Sequence, residues 1–571
     1  MENSEIAKIF WNISEILTLK QENPFKIRAY QKAAQTIENL SENAIDAINN
    51  GTKIPGVGEN ISSHILEISK TGSFKEYDKL LKSFPQGFLE LQKISGLGPK
   101  GAILLYKKLK VKNIGDLEKA AKSGKIRHIE GMGAKKEENI IKGIEQYRKR
   151  KGRFLLSDAS AYADAIIEYL KTQKDTVDAI AAGSLRRGKE TVGDIDILVT
   201  AKNPKKVMDS FVKIPYVKDI LSFGSTKSSV ILKTDIHVDL RVIDPKSYGA
   251  ALHYFTGSKA HNIKIRELAI KEGLKISEYG VFSAKEKFIT GLTEEDVFKS
   301  VGLPFIPPEL REDRGEFEAG LANKLPKLVE LKDIIGDLHT HTNASDGANT
   351  IEEMVLYAKN IGYKYIAITD HSISSRIAGG LSEDEMIKRW KQIDMINDKI
   401  SGIRILKGVE VDISKDGTLD YSDKTLKQAD VVLAAIHSNF KMGKDAMTKR
   451  VAAALNNKYV NILAHPTGRL LSMREPFEID LESIINTASM TGTCIEINAH
   501  PERLDLDDIH CKRAKEKGVF IAVNSDAHTT DGMDFMSYGV TVARRGWLEK
   551  NNVINTFTLE KLLEKLYAKR I

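Results

Sequence analysis

Cysteine is almost absent from this sequence of 571 residues, which contains only Cys494 and Cys511. Two thiols in so long a chain exclude a disulfide framework and favour a reducing compartment such as the cytoplasm. Long apolar runs are lacking too, because even the run from Val431 to Ile436 is far shorter than the ~20 residues that a membrane-spanning helix needs. The chain begins with an acidic stretch and no apolar segment behind it, so we expect no signal peptide and no membrane partner.

Charge is distributed unevenly along the chain. The net charge is +8, but residues 1–90 sum to −2, residues 91–290 to +16 and the remainder to −6. A strongly basic region is typical of a protein that binds a polyanion. The length suggests three or four domains, and the basic middle of the chain predicts nucleic acid as a partner.

The most informative stretch is GSLRRGKETVGDIDILVT, residues 183–200. Alternation at its end predicts a β-strand with Asp194 and Asp196 on the same face. The segment HVDLRVI, residues 237–243, offers a third carboxylate, Asp239, with the same alternation. Three aspartates on adjacent strands can hold two Mg²⁺ or Mn²⁺ ions, as in enzymes of phosphoryl or nucleotidyl transfer.

The residues before this strand separate two interpretations of the aspartate pair. Asp-x-Asp alone could be a solvated strand end. The Gly-Ser turn and the two arginines that precede it supply backbone N–H and guanidinium groups, which bind phosphate. Together these features predict a nucleotidyltransferase palm.

An apolar-x-Gly-x-Gly pattern occurs three times early in the chain, as IPGVG at 54–58, ISGLG at 94–98 and IEGMG at 129–133. Each copy precedes a segment with helical spacing, so the copies form an internal repeat. A glycine turn at a helix N-terminus exposes N–H groups that can bind a DNA phosphate without reading sequence. One copy could be an ordinary interhelical turn, but three copies resemble helix-hairpin-helix motifs and imply DNA contacts at Gly56, Gly58, Gly96, Gly98, Gly131 and Gly133.

Histidines and carboxylates follow one apolar run after another in the C-terminal part of the chain. Each run predicts a buried parallel strand with its polar residue at or just past the C-terminal end, where (βα) barrels place their active sites. A lone histidine at a strand end is usually structural, but six of the thirteen histidines obey this rule. The complete candidate set is His339, His341, Asp346, His371, Glu410, His437, His465, Asp526 and His528.

This ligand set predicts a metal-dependent phosphoesterase. Imidazole and carboxylate ligands suit Mn²⁺, Zn²⁺ or Fe better than Mg²⁺ alone. Nine ligands exceed what a single ion needs, so we expect two or three ions. Such a centre activates water and clamps a phosphate group.

Four segments resemble the family X DNA polymerases, the DNA polymerase beta type, in order and spacing over roughly residues 1–315. They are GSLRRGKETVGDIDILV, HVDLRVI, YFTGSKAHN at 254–262 and ISEYG at 276–280. The resemblance implies that Asp194, Asp196 and Asp239 are the catalytic metal ligands. It implies that the triphosphate of the incoming dNTP is held by Gly183, Ser184, Arg187 and Gly193. The sugar pocket would be lined by Tyr254, Phe255 and Gly257, and minor-groove contacts would come from Asn262 and Arg266.

The C-terminal part resembles the polymerase and histidinol phosphatase (PHP) domain. The nine residues above match the nine metal ligands of that family without a gap. A polymerase fused in this order to a PHP domain is similar to the bacterial and archaeal family X polymerases. The resemblance implies a Mn²⁺-stimulated 3′→5′ exonuclease and, less directly, an abasic-site endonuclease.

We therefore expect a multidomain α+β and α/β fold with helical helix-hairpin-helix lobes, a nucleotidyltransferase palm and a C-terminal distorted (βα)7 PHP barrel. The expected domains are an N-terminal helical DNA-binding domain (1–85), a fingers-type domain with two helix-hairpin-helix motifs (86–150), the palm (151–245), a thumb-type subdomain for the nascent base pair (246–315), a linker (316–333) and the PHP domain (334–571).

One residue departs from the beta-type pattern. In those enzymes a lysine after the first hairpin forms a Schiff base with an abasic deoxyribose phosphate, and His64 stands at that position here. Imidazole cannot form that iminium, so we do not expect the usual lyase, although Lys53 or another amine could replace it.

The function predicted from the sequence is a template-directed DNA polymerase that fills short gaps in DNA repair, including base excision repair, with a 3′→5′ exonuclease. We expect it to be a cytoplasmic monomer that binds gapped or primer-template DNA and dNTPs. The alternative is a phosphoesterase or nuclease that an inactive palm only tethers to DNA. A non-catalytic DNA-binding scaffold would require both metal sites to be idle.

Overall fold

The computed structural model describes residues 3–20, 22–38, 44–51, 53, 54, 56–81, 88, 91, 94, 97, 99–150 and 152–570. These residues belong to two compact units, Met1–Lys151 and Gly152–Ile571. Among them, no helix is both long and apolar enough to cross a membrane.

The described residues of the first unit form eight α-helices around two apolar cores. Apolar residues recur at helical spacing, as Ile6, Phe10, Ile13 and Leu17 do along the first helix, so each helix has one buried face. One core lies between Ile6 and Leu80, and the other lies between Phe88 and Ile144. The helices are α1 (Asn3–Leu19), α2 (Pro24–Glu38), α3 (Ala44–Asn49), α4 (Glu59–Thr71), α5 (Lys75–Leu81), α6 (Pro99–Leu109), α7 (Ile114–Lys122) and α8 (Ala134–Arg150).

The palm is built on a five-stranded sheet at the start of the second unit. The strand order is β2-β4-β7-β6-β5; β4 and β7 are parallel, and the other neighbours are antiparallel. Its strands and helices are β1 (Phe154–Leu155), α9 (Leu156–Thr172), β2 (Thr176–Ala181), α10 (Gly183–Arg186), β3 (Thr191–Val192), β4 (Asp194–Ala201), α11 (Pro204–Phe211), β5 (Val217–Phe223), β6 (Lys227–Leu232) and β7 (His237–Val242).

The thumb follows with helices around a small antiparallel sheet of order β10-β9-β8. Its elements are α12 (Tyr248–Thr256), α13 (Lys259–Lys271), β8 (Leu274–Ser277), β9 (Gly280–Ser283), β10 (Phe288–Thr290), α14 (Glu294–Lys299) and α15 (Glu316–Leu321). Helix α15 falls in the segment expected as a linker, residues 316–333. Its Glu316 and Phe317 are buried, and the Phe317 ring stacks on His261 at 4.7 Å, so the start of this segment is packed into the thumb core.

The rest of the second unit is a parallel seven-stranded sheet with strands in chain order. Thr340, just after the first strand, pairs with Ala527, just after the last, so the sheet is nearly closed into a barrel. The fold class predicted from the sequence is thereby confirmed. The elements are β11 (Gly336–Asp337), α16 (Ile351–Asn360), β12 (Tyr365–Ile368), α17 (Glu383–Asn397), β13 (Arg404–Asp412), α18 (Asp423–Leu426), β14 (Val431–Ala435), α19 (Lys444–Leu455), β15 (Ile462–Leu463), α20 (Leu481–Thr491), β16 (Cys494–Asn498), α21 (Asp508–Glu516), β17 (Ile521–Asn524), α22 (Met536–Arg545) and α23 (Leu559–Ala568).

A buried ion-pair network joins palm and thumb. Arg186 donates two hydrogen bonds to the Glu294 carboxylate, at 2.9 and 2.6 Å, and Arg311 donates a third at 2.5 Å. Glu294 is 5% exposed and Arg311 is fully buried, so neither charge can be solvated by water instead. Burial alone would raise the pKa of Glu294, but the two arginines lower it to about 2.

Glu294→Gln should lower the free energy of unfolding by about 3 kcal/mol, because it leaves the buried guanidinium of Arg311 without its counter-charge. Glu295→Gln, on the exposed face of the same helix, should change it by less than about 0.5 kcal/mol. Urea denaturation at pH 7 measures both. Since the pKa of Glu294 is depressed from 4.5 to about 2, the difference between wild type and Glu294→Gln should shrink as the pH falls below 4.5. Equal stabilities at pH 7 would contradict the assignment.

Candidate functional site

The palm places its three predicted carboxylates on two adjacent parallel strands. Asp196 on β4 lies opposite Asp239 on β7, and Asp194 lies opposite His237. Because side chains two apart on a strand share a face, Asp194, Asp196 and Asp239 point to one side of the sheet. Gly183 approaches the same place with a φ of +62°, and a Cβ there would lie 2.6 Å from Asp196 Oδ2. Only glycine fits at this point of the turn.

The electrostatics of this carboxylate group favour a bound cation. Burial and then the charges of Asp194 and Asp239 raise the pKa of Asp196 to about 6. Asp239 accepts a hydrogen bond from Ser229 Oγ at 2.5 Å and lies 3.1 Å from Lys227 Nζ. A set of oxygen ligands with excess negative charge fits hard divalent ions such as Mg²⁺.

The candidate nucleotide-binding residues surround this group. Ser184 lies on the one-turn helix α10 directly after Gly183, and Gly193 precedes β4. The Arg187 guanidinium donates to Thr256 O at 2.5 Å and to Glu312 Oε1 at 3.1 Å. These two bonds use two of the five N–H donors of the guanidinium, so the group can still bind a phosphate.

The thumb carries the remaining candidates. Tyr254 and Phe255 lie in the last turn of helix α12, with their rings edge to face and the ring centroids 5.1 Å apart. Gly257, the first residue after the helix, has a φ of +71°. Asn262 Nδ2 donates to Tyr254 O at 2.7 Å, and Arg266 Nε donates to Asn262 O at 2.9 Å. The first arginine of the Arg186-Arg187 pair differs from the second, because the Arg186 guanidinium donates its hydrogen bonds to Glu294 and Thr256.

The barrel gathers all nine of its predicted ligands at the C-terminal ends of the strands. Glu410 lies at their centre, with its carboxylate oxygens 2.9–3.5 Å from ring nitrogens of five histidines. Asp346 lies 3.5 Å from His371 and 3.2 Å from His528, and Asp526 lies 3.3 Å from His341. Three groups have ligand atoms within 4.8 Å of one another: His341, Asp346, His371 and His528; His339, His341 and Asp526; and His371, Glu410 and His437.

Several buried atoms of this cluster lack a hydrogen-bond partner among the described residues. They include Nε2 of His339, both ring nitrogens of His341, Nδ1 of His371 and Oε2 of Glu410. Buried polar atoms are rarely left without a partner. The donor chemistry and the number of these atoms fit a centre of more than one divalent ion.

A second layer of carboxylates, which the sequence patterns did not indicate, orients the histidines. Glu496 Oε1 lies 2.7 Å from His339 Nδ1, and Asp412 Oδ1 lies 2.7 Å from His437 Nδ1. Such partners fix the ring orientation and leave the other nitrogen for a metal. Asn498 Nδ2 donates to Asp526 Oδ2 at 2.9 Å. Glu496 and Asn498 belong to β16, the strand between the His465 and Asp526 segments. A glutamate inside an otherwise apolar strand was the sequence signal that could have indicated them.

The three glycine turns of the first unit share one backbone hydrogen bond. In each, the fourth residue donates to the first: Val57 N to Ile54 O at 3.1 Å, Leu97 N to Ile94 O at 3.0 Å and Met132 N to Ile129 O at 2.9 Å. Gly56 and Gly131 have φ of +74° and +78°. A Cβ added at Gly58 or Gly133 would meet no atom within 4 Å, so the backbone is open to a ligand there. Gly96 and Gly98 lie outside the described residues.

His64 occupies an aromatic site rather than an open one. Its ring stacks on Phe74 at 4.2 Å and lies 3.3 Å from the hydroxyl of Tyr30, which donates to Glu76. Burial lowers the pKa of His64, so the ring is mostly neutral at pH 7. Nothing in this arrangement resembles an activated amine.

The order of matched families along the chain agrees with these sites. The helix-hairpin-helix domain matches residues 1–74, the SAM-like helix-hairpin-helix tandem 88–146, the DNA polymerase beta palm 156–239, the DNA polymerase beta thumb 251–312 and the PHP domain 337–500.

Comparison with individual proteins covers the whole chain. The sequence is 39% identical to the DNA polymerase/3′-5′ exonuclease PolX of Bacillus subtilis, over 98% of both chains. It is 33% identical to a probable phosphatase of Thermoanaerobacter over 42% of this chain and 96% of that one. It is 25% identical to rat DNA polymerase lambda over 51% of this chain and 53% of that one. The chain belongs to the PolX family of beta-type DNA polymerases with a PHP domain, and the predicted resemblance is confirmed.

Glu496→Gln should lower the affinity of the barrel for Mn²⁺ about tenfold or more, because His339 loses the carboxylate that orients its ring. Metal content after gel filtration in a fixed low concentration of Mn²⁺ measures this. The control is Glu560→Gln, an exposed residue on α23, which should retain wild-type content. Unchanged metal content in Glu496→Gln would contradict the role assigned to this carboxylate.

Sodium borohydride should not trap a covalent complex between this protein and DNA that carries a 5′-deoxyribose phosphate. The reason is that His64, at the position of the usual lysine, cannot form an iminium. A trapped adduct on a denaturing gel would show that another amine acts, and its loss in Lys53→Ala would identify that amine.

Proposed function

We propose that this protein is a template-directed DNA polymerase that fills short gaps during DNA repair and shortens 3′ ends in a second active site. The observation that carries the proposal is the register of β4 and β7, which sets three carboxylates side by side next to the Gly183 turn. The match to PolX over nearly the whole chain supports both activities.

In the palm, Asp194, Asp196 and Asp239 would hold two Mg²⁺ or Mn²⁺ ions. When bound, these ions neutralise the charge of the triphosphate and lower the barrier to attack on the α-phosphorus. Ser184, Gly193 and Arg187 bind the triphosphate, and Arg187 stabilises the pyrophosphate that leaves. Asp239 accepts the proton of the primer 3′-hydroxyl as the new phosphodiester bond forms.

The substrate also contacts the thumb and the first unit. Tyr254, Phe255 and Gly257 border the sugar, while Asn262 and Arg266 contact the minor groove of the nascent pair. The helix-hairpin-helix turns bind backbone phosphates through N–H groups at the starts of α4, α6 and α8. Such contacts do not depend on base sequence, as a repair polymerase requires.

In the barrel, the nine clustered residues would hold two or three Mn²⁺, Zn²⁺ or Fe ions, which supply Lewis acidity and activate water. The chain's own contribution is a set of buried, oriented ligands at one rim of the barrel. The reaction adds water across the terminal phosphodiester, so that a nucleoside monophosphate leaves and a new 3′-hydroxyl remains. The same chemistry would serve abasic-site incision.

The two cysteines are buried free thiols, which supports a reducing compartment, the cytoplasm. We propose a monomer as the active form. A phosphoesterase with an inactive palm is the competing function, since proteins that match only 42% of this chain are named probable phosphatases.

The test is a time course on a 5′-labelled primer in a one-nucleotide gap with Mn²⁺, with and without dNTPs. The wild type should extend the primer with dNTPs and shorten it without them. Asp194→Ala plus Asp196→Ala should lower the rate of primer extension about a thousandfold or more and leave the rate of primer shortening unchanged. His339→Ala plus His341→Ala should do the reverse.

Two results would overturn parts of the proposal. Shortening that survives the histidine variant would place the nuclease outside the barrel. Absence of extension by the wild type would leave the phosphoesterase as the function of the chain.

A further inference from the structure

The turn that carries the nucleotide-binding arginine is in direct contact with the PHP barrel. Arg545, the last residue of α22, donates through Nη1 to the backbone carbonyl of Arg187 at 2.6 Å and to Glu312 at 3.2 Å. Its Nη2 donates to Asp508 at 2.5 Å. The Arg545 side chain is 1% exposed, so these bonds form in the absence of competing water.

Helix α22 also packs closely against Gly188, the next residue of the turn. Gly188 has a φ of +63°, and a Cβ there would lie 2.2 Å from Thr541 Cγ2. Two residues further on, Glu190 accepts a hydrogen bond from Arg469 of the barrel at 2.6 Å. Contacts at three of its four residues therefore hold the segment 187–190 against the barrel.

Contacts hold Arg187 at two points, its backbone carbonyl and its guanidinium. Glu312 lies between the guanidinium of Arg187 and that of Arg545, at 3.1 and 3.2 Å. Arg545 thus holds the main chain of Arg187 directly and its side chain through Glu312. Without Arg545, the Arg187 guanidinium keeps its thumb partners, Thr256 and Glu312, but the Arg187 backbone carbonyl loses its anchor.

We propose that Arg545 of the PHP barrel is a positioning residue for nucleotide binding in the palm. It sets the place of Arg187 for the triphosphate and takes no part in the nuclease centre. The proposal rests on the proposed function, because it assumes that Arg187 binds the dNTP.

The test compares Arg545→Lys with Arg544→Lys in single-nucleotide gap filling at varied dNTP concentration. Lysine keeps the buried positive charge near Asp508 but cannot also reach the Arg187 carbonyl and Glu312. Arg544 is the matched control, since it also joins the barrel to the preceding segment, through Glu309 and Val329, without touching Arg187. Arg545→Lys should raise the KM for dNTP about tenfold, whereas Arg544→Lys should leave it within about twofold.

The exonuclease rate with Mn²⁺ and no dNTP is the second readout. It should stay within about twofold of wild type in both variants. An unchanged KM in Arg545→Lys, or an equal loss of both activities, would overturn the proposal. A wild type that does not extend primers would instead refute the proposed function, so the two failures are distinguishable.

A steric variant decides the question if Arg545→Lys does not fold. Thr541→Leu adds bulk opposite Gly188 and disturbs no charge, so it should raise the KM for dNTP in the same way. Thr541→Ser adds no bulk and should behave as wild type. A wild-type KM in Thr541→Leu would overturn the proposal.

Discussion

Both active sites depend on holding together groups that repel one another or lack partners. In the palm, three aspartates share one face of two strands, and in the barrel, five imidazoles face the carboxylate of Glu410 with several nitrogens unpaired. A folded chain can maintain such arrangements only where the surrounding structure is rigid and a cation completes the site. The sheet in each domain supplies that rigidity, because strand pairing fixes the spacing of the ligands.

The two sites solve this problem with different ligands. The palm uses oxygen atoms alone and stays partly open, as a site must when the triphosphate supplies part of the metal coordination. The barrel adds imidazoles, and Glu496 and Asp412 orient two of them. Four of the six candidate imidazoles are buried, whereas His437 and His528 are 23% and 26% exposed. The oxygen set is typical of a site that shares its metal ions with a bound substrate, whereas the imidazole set is typical of a resident metal centre.

Most of the candidate ligands were found from local periodicity, and their roles as ligands stay predictions. Asp194, Asp196 and Asp239 alternate with apolar residues on strands, and His437 and His465 end apolar runs. Residues that act across the fold carry no such pattern. Glu496 sits within an apolar run, Arg186 looks identical to Arg187 in the sequence, and α15 lies in a stretch that was expected to be a linker. Their roles depend on long-range partners such as His339, Glu294 and His261.

Helix α22 has a consequence for how this protein can vary. One side of the helix packs on the strand before the candidate ligands Asp526 and His528, where a Cβ on Gly539 would lie 2.7 Å from Val523. The other side meets the palm turn through Thr541 and Arg545. Successive residues of a helix are about 100° apart, so insertion or deletion of one residue between these positions would turn one face away from its partner. Substitutions can accumulate along this helix, but its length should be fixed in every member that keeps both domains in this arrangement.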